Sequence, residues 1–155
     1  MTSPLDNLAG ATGSLLKEAP DADEYAGLIR SATVRLIDAE RADNSVESRF
    51  DLAYNAAHAL CLAALRRAGY RAHNRYIVFQ AVPHTLRLGP EVWRVLAKWH
   101  QIRNQGEYEG DLNVDERLVA DPSSPARQSR MPWHSFLLSP DWTSTAKRCF
   151  PSENL

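Results

Sequence analysis

The sequence predicts an all-α protein, an antiparallel helical bundle of about four main helices followed by an irregular C-terminal tail. Three observations carry this. Apolar residues recur at helical spacing along most of the chain, and no segment alternates with the period of two that marks a strand. Capping-box texts stand at two of the helix starts. The connections between periodic segments are short, which favours antiparallel neighbours.

Residues 1–20 form an N-terminal segment, rich in small residues and broken by Gly10 and Gly13, so any helix in it is short. The first long helix is expected from Asp21, where Asp21-Ala22-Asp23-Glu24 reads as a capping box, to about Ala42. It carries Tyr25, Leu28, Ile29, Ala32, Leu36 and Ala39 on one face. A second box, Asn44-Ser45-Val46-Glu47, opens the next helix, whose stripe is Phe50, Tyr54, Ala57, Cys61, Ala64 and Ala68. Gly69 stops it, with Arg66 and Arg67 in the last turn, where cations suit the helix dipole. Tyr76 to Val82 reads as a short apolar helix ended or kinked at Pro83. Gly89-Pro90 places Pro90 at the first position of a helix bearing Val92, Leu96, Trp99 and Ile102. Gly106 weakens that helix and Gly110 ends or interrupts it, and residues 111–120 hold a last short helix. The domain is therefore 21–120. Residues 121–155 are expected to be an irregular or disordered tail, since five prolines fall among 34 positions from 122 onward. A stretch read in a shifted frame would look the same.

At 155 residues with 44% hydrophobic and 24% charged side chains, the chain has enough apolar content for one core. No stretch approaches the roughly 20 apolar residues of a membrane span. Met1-Thr2-Ser3-Pro4-Leu5-Asp6 lacks the basic start and apolar run of a secretory signal, so the expected location is the cytoplasm, with no membrane partner. Cys61 and Cys149 show no CxxC or Cys/His spacing and read as free thiols. No cofactor or metal is expected, because a Gly-rich phosphate loop, a Gly-x-Ser-x-Gly elbow and paired ligand histidines are all missing from the text.

The net charge of −1 is unevenly spread. Residues 1–62 carry 5 basic and 10 acidic groups, whereas residues 63–103 carry 8 basic groups against the single acid Glu91. A net +7 block is either a footprint for a polyanion or a basic face that pairs with the acidic helices beside it or with a second subunit. Within it, Arg66-Arg67-Ala68-Gly69-Tyr70-Arg71-Ala72-His73-Asn74-Arg75 offers Arg66, Arg67, Arg71 and Arg75 as candidate RNA-binding residues around an interleaved tyrosine. His58, one position from the seam, reads as a partly buried, hydrogen-bonded side chain.

The most unusual text is Trp99-His100-Gln101-Ile102-Arg103-Asn104-Gln105-Gly106-Glu107-Tyr108. On a helix, Arg103 and Tyr108 project within about 140° of one another. The guanidinium can take a phosphate bidentately, and the phenol can stack on a base or donate a hydrogen bond. The plainer alternative is Arg103 paired with Glu107 or Glu109 at the end of a structural helix.

Together with the helix text Arg49-Phe50-Asp51-Leu52-Ala53-Tyr54-Asn55-Ala56-Ala57-His58-Ala59-Leu60 and its exit Leu65-Arg66-Arg67-Ala68-Gly69, the Arg103-Asn104 element resembles the HEPN family of prokaryotic RNA-targeting helical proteins. The resemblance covers residues 21–120. It implies a homodimer in which two copies of the Arg103 segment form a composite, metal-independent site for attack of a ribose 2′-hydroxyl on the neighbouring phosphate. It implies Arg103, Asn104, Tyr108 and His100 as candidate catalytic residues. One departure matters: no histidine lies four to seven positions after Arg103, and Tyr108 takes that place. Tyrosine, near pKa 10, is a poor general base, so His100, one turn before Arg103, is the substitute.

Three readings follow. The first is an RNA-directed protein, either an endoribonuclease toxin or a weakened relative that binds RNA. The second, again by resemblance, is a non-catalytic regulatory module paired with a nucleotidyltransferase-type partner, with Tyr108 as the modification site. The third is a structural helical protein whose Arg103 makes an ion pair.

Overall fold

The computed structural model describes residues 3–87 and 90–110. The expected short helix over 111–120 and the tail over 121–155 lie outside the described residues, as does Cys149. Among the described residues the chain is predominantly helical, with six helices and one small two-stranded sheet. In order these are α1 (Pro4–Thr12), β1 (Leu15–Lys17), α2 (Ala22–Glu40), α3 (Val46–Arg67), β2 (Tyr70–Ala72), α4 (Arg75–Gln80), α5 (Val82–Thr85) and α6 (Pro90–Glu109). No described helix is long and apolar enough to cross a membrane.

Each start has a local cause. Ser3 and Asp6 form a reciprocal capping box on α1, and Gly13, at φ 61°, closes it in the left-handed conformation that a glycine adopts without Cβ strain. Asp21 caps α2 as expected, its carboxylate accepting from the Glu24 N–H at 2.8 Å. The cap of α3 falls one residue later than the text suggests: Ser45 accepts from the Ser48 N–H. Asn44 instead donates its amide to the Asp38 carbonyl at 2.8 Å, which satisfies an end group of α2 and leaves the cap to Ser45. The short apolar helix stops at Gln80, just before Pro83 as expected, and Pro83 stands in the first turn of the separate α5, where its missing N–H costs that helix no bond. Gly106 is absorbed within α6, which continues to Glu109, and Gly110 follows at φ 70°.

α2 and α3 pack along one another as a hairpin, tied at one end by Arg49 Nε to the Ala39 carbonyl and at the other by Arg66 to Glu24. α3 is the central element. It touches α2, α4, α5, α6 and β2, and accordingly buries Phe50, Tyr54, Ala56, Ala57, Ala59, Leu60, Cys61, Ala63 and Leu65. Its many alanines let neighbours approach from several sides, so burial extends well beyond the single stripe the spacing predicts; Ala68, by contrast, is exposed. α6 contributes Leu96 and Trp99 to the core, with the Trp99 ring 5.3 Å from Phe50. Cys61 is a buried free thiol whose pKa burial pushes up to about 12, which makes it unreactive.

The sheet is the feature that periodicity does not predict. β1 and β2 pair antiparallel in the register Leu15–Ala72, Leu16–Arg71 and Lys17–Tyr70. Three residues are too few to display alternation, and the partner lies more than fifty residues away in the chain. The pairing draws the N-terminal segment onto the α3 exit, where Lys17 at 2.6 Å and the Tyr70 hydroxyl at 2.8 Å both engage Asp6. Those two contacts hold the Asp6 carboxyl well below the usual carboxylate range.

Candidate functional site

The four arginines expected to bind RNA, Arg66, Arg67, Arg71 and Arg75, go to different places. Arg66 is 1% exposed. Its Nε donates to Glu24, one terminal nitrogen to the carbonyls of Glu18 and Tyr70, and the other to Glu18 Oε1 and the Ala19 carbonyl. A guanidinium has five N–H donors, and all five are occupied by the protein. Arg66 therefore serves the fold and has no donor left for a phosphate. Arg71, on β2, clasps Glu18 at 2.7 and 2.8 Å and reaches Glu24 at 3.1 Å. Arg67 is exposed on the last turn of α3. Only Arg75 joins the Arg103 region.

That region is built from one face each of α3 and α6, closed by the start of α4. α3 supplies Asp51, Tyr54, Asn55 and His58 at successive helical turns, and α6 supplies His100, Arg103, Asn104 and Glu107 at the same period. Tyr54 is fully buried in the middle. Its hydroxyl is 2.9 Å from His100 Nδ1, the two rings stack at 6.3 Å, and Asn104 Nδ2 lies 3.2 Å from His100 Nε2. With Asn104 presenting its NH2, Nε2 accepts and Nδ1–H donates to the tyrosine oxygen; turning the amide over reverses both bonds. Burial, and then the charges of Arg103 and Arg75, lower the His100 pKa, so the ring is neutral at pH 7.

Two cations converge on Tyr54. The guanidinium carbon of Arg103 is 5.3 Å from the ring centroid, and that of Arg75 is 5.7 Å. Arg75 is steadied by Asn55 Oδ1 at 2.8 Å, and Asn55 by the Asp51 carbonyl and carboxylate. Arg103 makes the ion pair that the plainer alternative foresees, gripping Glu107 with both terminal nitrogens one turn on. Its Nε is buried without a hydrogen bond and lies 3.7 Å from Asp51 Oδ1.

The structure thus brings His100, Arg103 and Asn104 together and adds Tyr54 and Arg75 to them. It does not bring in Tyr108, which is 87% exposed while Arg103 turns inward toward Tyr54. Sequence reasoning missed Tyr54 as a site residue because it sits in the apolar seam. The signal was available in the run Asp51, Tyr54, Asn55 and His58, a polar stripe at helical spacing within an otherwise alanine-rich helix. His58 stands edge-on to Phe79 at 5.8 Å; it is partly buried as expected, but its Nε2 is shielded from solvent without a hydrogen-bond partner. Burial, reinforced by Arg75, Arg103, His100 and Arg35, pushes its pKa down to about 4.

Chemically the cluster offers two fixed positive groups, a neutral imidazole and an amide on one patch. A phosphate drawn to Arg103 competes with Glu107, which is itself half-exposed. Comparison with protein-family models, with curated proteins and with solved structures yields no match.

Proposed function

We propose that the chain is an RNA-directed protein of the HEPN kind, working through the His100–Arg103–Asn104 face of α6 completed by Tyr54 and Arg75. The observation that carries this reading is the convergence of Arg75 and Arg103 on Tyr54 beside a neutral histidine. Guanidinium pairs suit a phosphodiester, since each offers a planar fork of donors. Neutral His100 suits removal of a proton, once Asn104 turns away from Nε2. In the corresponding cleavage the ribose 2′-oxygen bonds to phosphorus and its proton passes to His100. The bond from phosphorus to the 5′-oxygen breaks, that oxygen takes a proton from water, and a 2′,3′-cyclic phosphate remains. On this reading the helices assemble as an antiparallel bundle, and a homodimer sets two copies of the Arg103 face near one another.

The test is binding of a labelled single-stranded RNA by fluorescence anisotropy. A charge-assisted Arg–phosphate contact contributes on the order of 1.5–3 kcal/mol, so Arg103→Ala is expected to weaken binding about ten- to a hundredfold. Arg103→Lys should recover little, because it lacks the fork. Binding by Arg103→Ala equal to the parent's would return Arg103 to its ion pair with Glu107 and sink the proposal. Cleavage that survives His100→Ala would place the base elsewhere, and a monomer in sedimentation at micromolar concentration would remove the dimer.

One observation favours a second reading, a regulatory module modified by a nucleotidyltransferase partner: the phenol of Tyr108 is 87% exposed and open to an incoming enzyme. Incubation with such an enzyme and a nucleoside triphosphate is expected to add a nucleotidyl mass to the parent and none to Tyr108→Phe. Equal labelling of both would exclude Tyr108 as the acceptor.

A further inference from the structure

Tyr76 follows Arg75 in the first turn of α4, between a residue of the cationic site and the buried run Ile77, Val78 and Phe79. Its own ring is 42% exposed. Two neighbours fix its orientation: Trp93 of α6, edge-on with centroids 5.5 Å apart, and His100, tilted at 6.0 Å. An aromatic ring held by two others yet open to solvent is a pre-organised platform, since its two χ angles are settled before anything binds. The same His100 ring stacks on Tyr54, over which Arg75 and Arg103 lie. The platform and the paired guanidiniums are thus the two ends of one patch, joined through His100.

We infer that Tyr76, backed by Trp93 and His100, is a stacking subsite for an unpaired nucleobase whose phosphate is held at Arg75 and Arg103. The inference rests on the RNA-directed reading of the same patch and adds the form of the ligand. Only a base freed from its own stack has a face to lay on the ring; in a duplex both faces are covered. Stacking on a single ring discriminates little between bases, because every base has a π-face, so the subsite selects single-stranded character over sequence. The other large exposed apolar side chains of the described residues serve less well: Leu16, Val34 and Ile37 are aliphatic, and Tyr108 lies beyond Arg103 at the far end of α6.

The test compares two labelled probes by anisotropy on the full chain: a short oligoadenylate and a ribose-phosphate oligomer of equal length without bases. The parent should bind the oligoadenylate more tightly. Tyr76→Ala should weaken oligoadenylate binding by about tenfold and leave the abasic oligomer unchanged, and Tyr76→Trp should restore the difference. An unchanged helical circular dichroism spectrum accompanies each variant. Equal loss on both probes, failure of Tyr76→Trp to rescue, or an altered sedimentation coefficient in Tyr76→Ala would overturn the inference, the last by making Tyr76 a subunit contact. A parent that binds both probes equally defeats the stacking subsite alone. A parent that binds neither defeats the RNA-directed reading and this inference with it.

Discussion

Replacing Arg66 with alanine is expected to lower the unfolding free energy by about 3 kcal/mol, the lower end of what breaking a buried ion pair costs. Arg66 is buried, while its acid partners Glu18 and Glu24 keep 45% and 29% of their side-chain surface. The orphaned carboxylates can therefore be partly rehydrated, which moderates the loss. Three main-chain carbonyls, those of Glu18, Ala19 and Tyr70, lose their donor, and a large side-chain volume is left empty. These carbonyls lie where the N-terminal segment meets the α3 exit, so the loss falls on the β1–β2 pairing as well as on the α2–α3 hairpin. With m-values of roughly 1–3 kcal/mol per molar urea, the midpoint should fall by about 1–3 M. Arg66→Met refills the volume without the donors and should recover part of the stability. A midpoint within about 0.3 M of the parent in Arg66→Ala would show that the network contributes little. In conditions where Arg66→Met is folded, its affinity for RNA should match the parent's, since no donor of Arg66 faces outward.

The same residue shows what a linear reading of charge can and cannot see. The basic block over residues 63–103 is real as a count, but Glu18 and Glu24 fold against Arg66 and Arg71 from 42 to 53 positions earlier. A tally along the chain cannot register that neutralisation, so of its two meanings the face paired with acidic neighbours holds for Arg66 and Arg71. Local grammar fared better. Asp21 caps its helix as read, and the one-residue slip at Asn44–Ser45 arises because the asparagine is drawn to the Asp38 carbonyl, a tertiary choice between two good capping residues. Spacing alone placed Arg103 and Tyr108 within reach of each other on one helix. It could not say on which side of α6 the rest of the protein lies, and that side belongs to His100 and Arg103. Tyr54 was hidden for a related reason, since its place beside Arg75 and Arg103 arises only where α3, α4 and α6 meet.

Stability is expected to fall by about 2–3 kcal/mol between pH 7 and pH 4.5 through His58 alone. In the fold its pKa is pushed down from 6.5 to about 4, first by burial and then by Arg75 and Arg103 beside it. His100 and Arg35 act in the same direction, and the buried Nε2 has no hydrogen-bond partner to receive a second proton. In the unfolded chain the imidazole takes a proton near pH 6.5, so below that value the unfolded state binds more protons than the native one. The linkage sign is therefore fixed: the contribution is fully present above pH 6.5 and is lost progressively as pH falls toward 4. His100, lowered for the same reasons, adds to the trend, whereas the lowered carboxylates of Asp6, Glu18 and Asp43 begin to matter only at the acid end of the range. The contribution of His58 is isolated by difference. Urea unfolding of the parent and of His58→Leu at pH 7 and pH 4.5 should show the variant losing about 2–3 kcal/mol less than the parent between the two conditions. Equal losses in both would mean that His58 is protonated in the native state at pH 4.5, which requires a hydrogen-bond partner for its second nitrogen and a site open enough to hold a third positive charge beside Arg75 and Arg103.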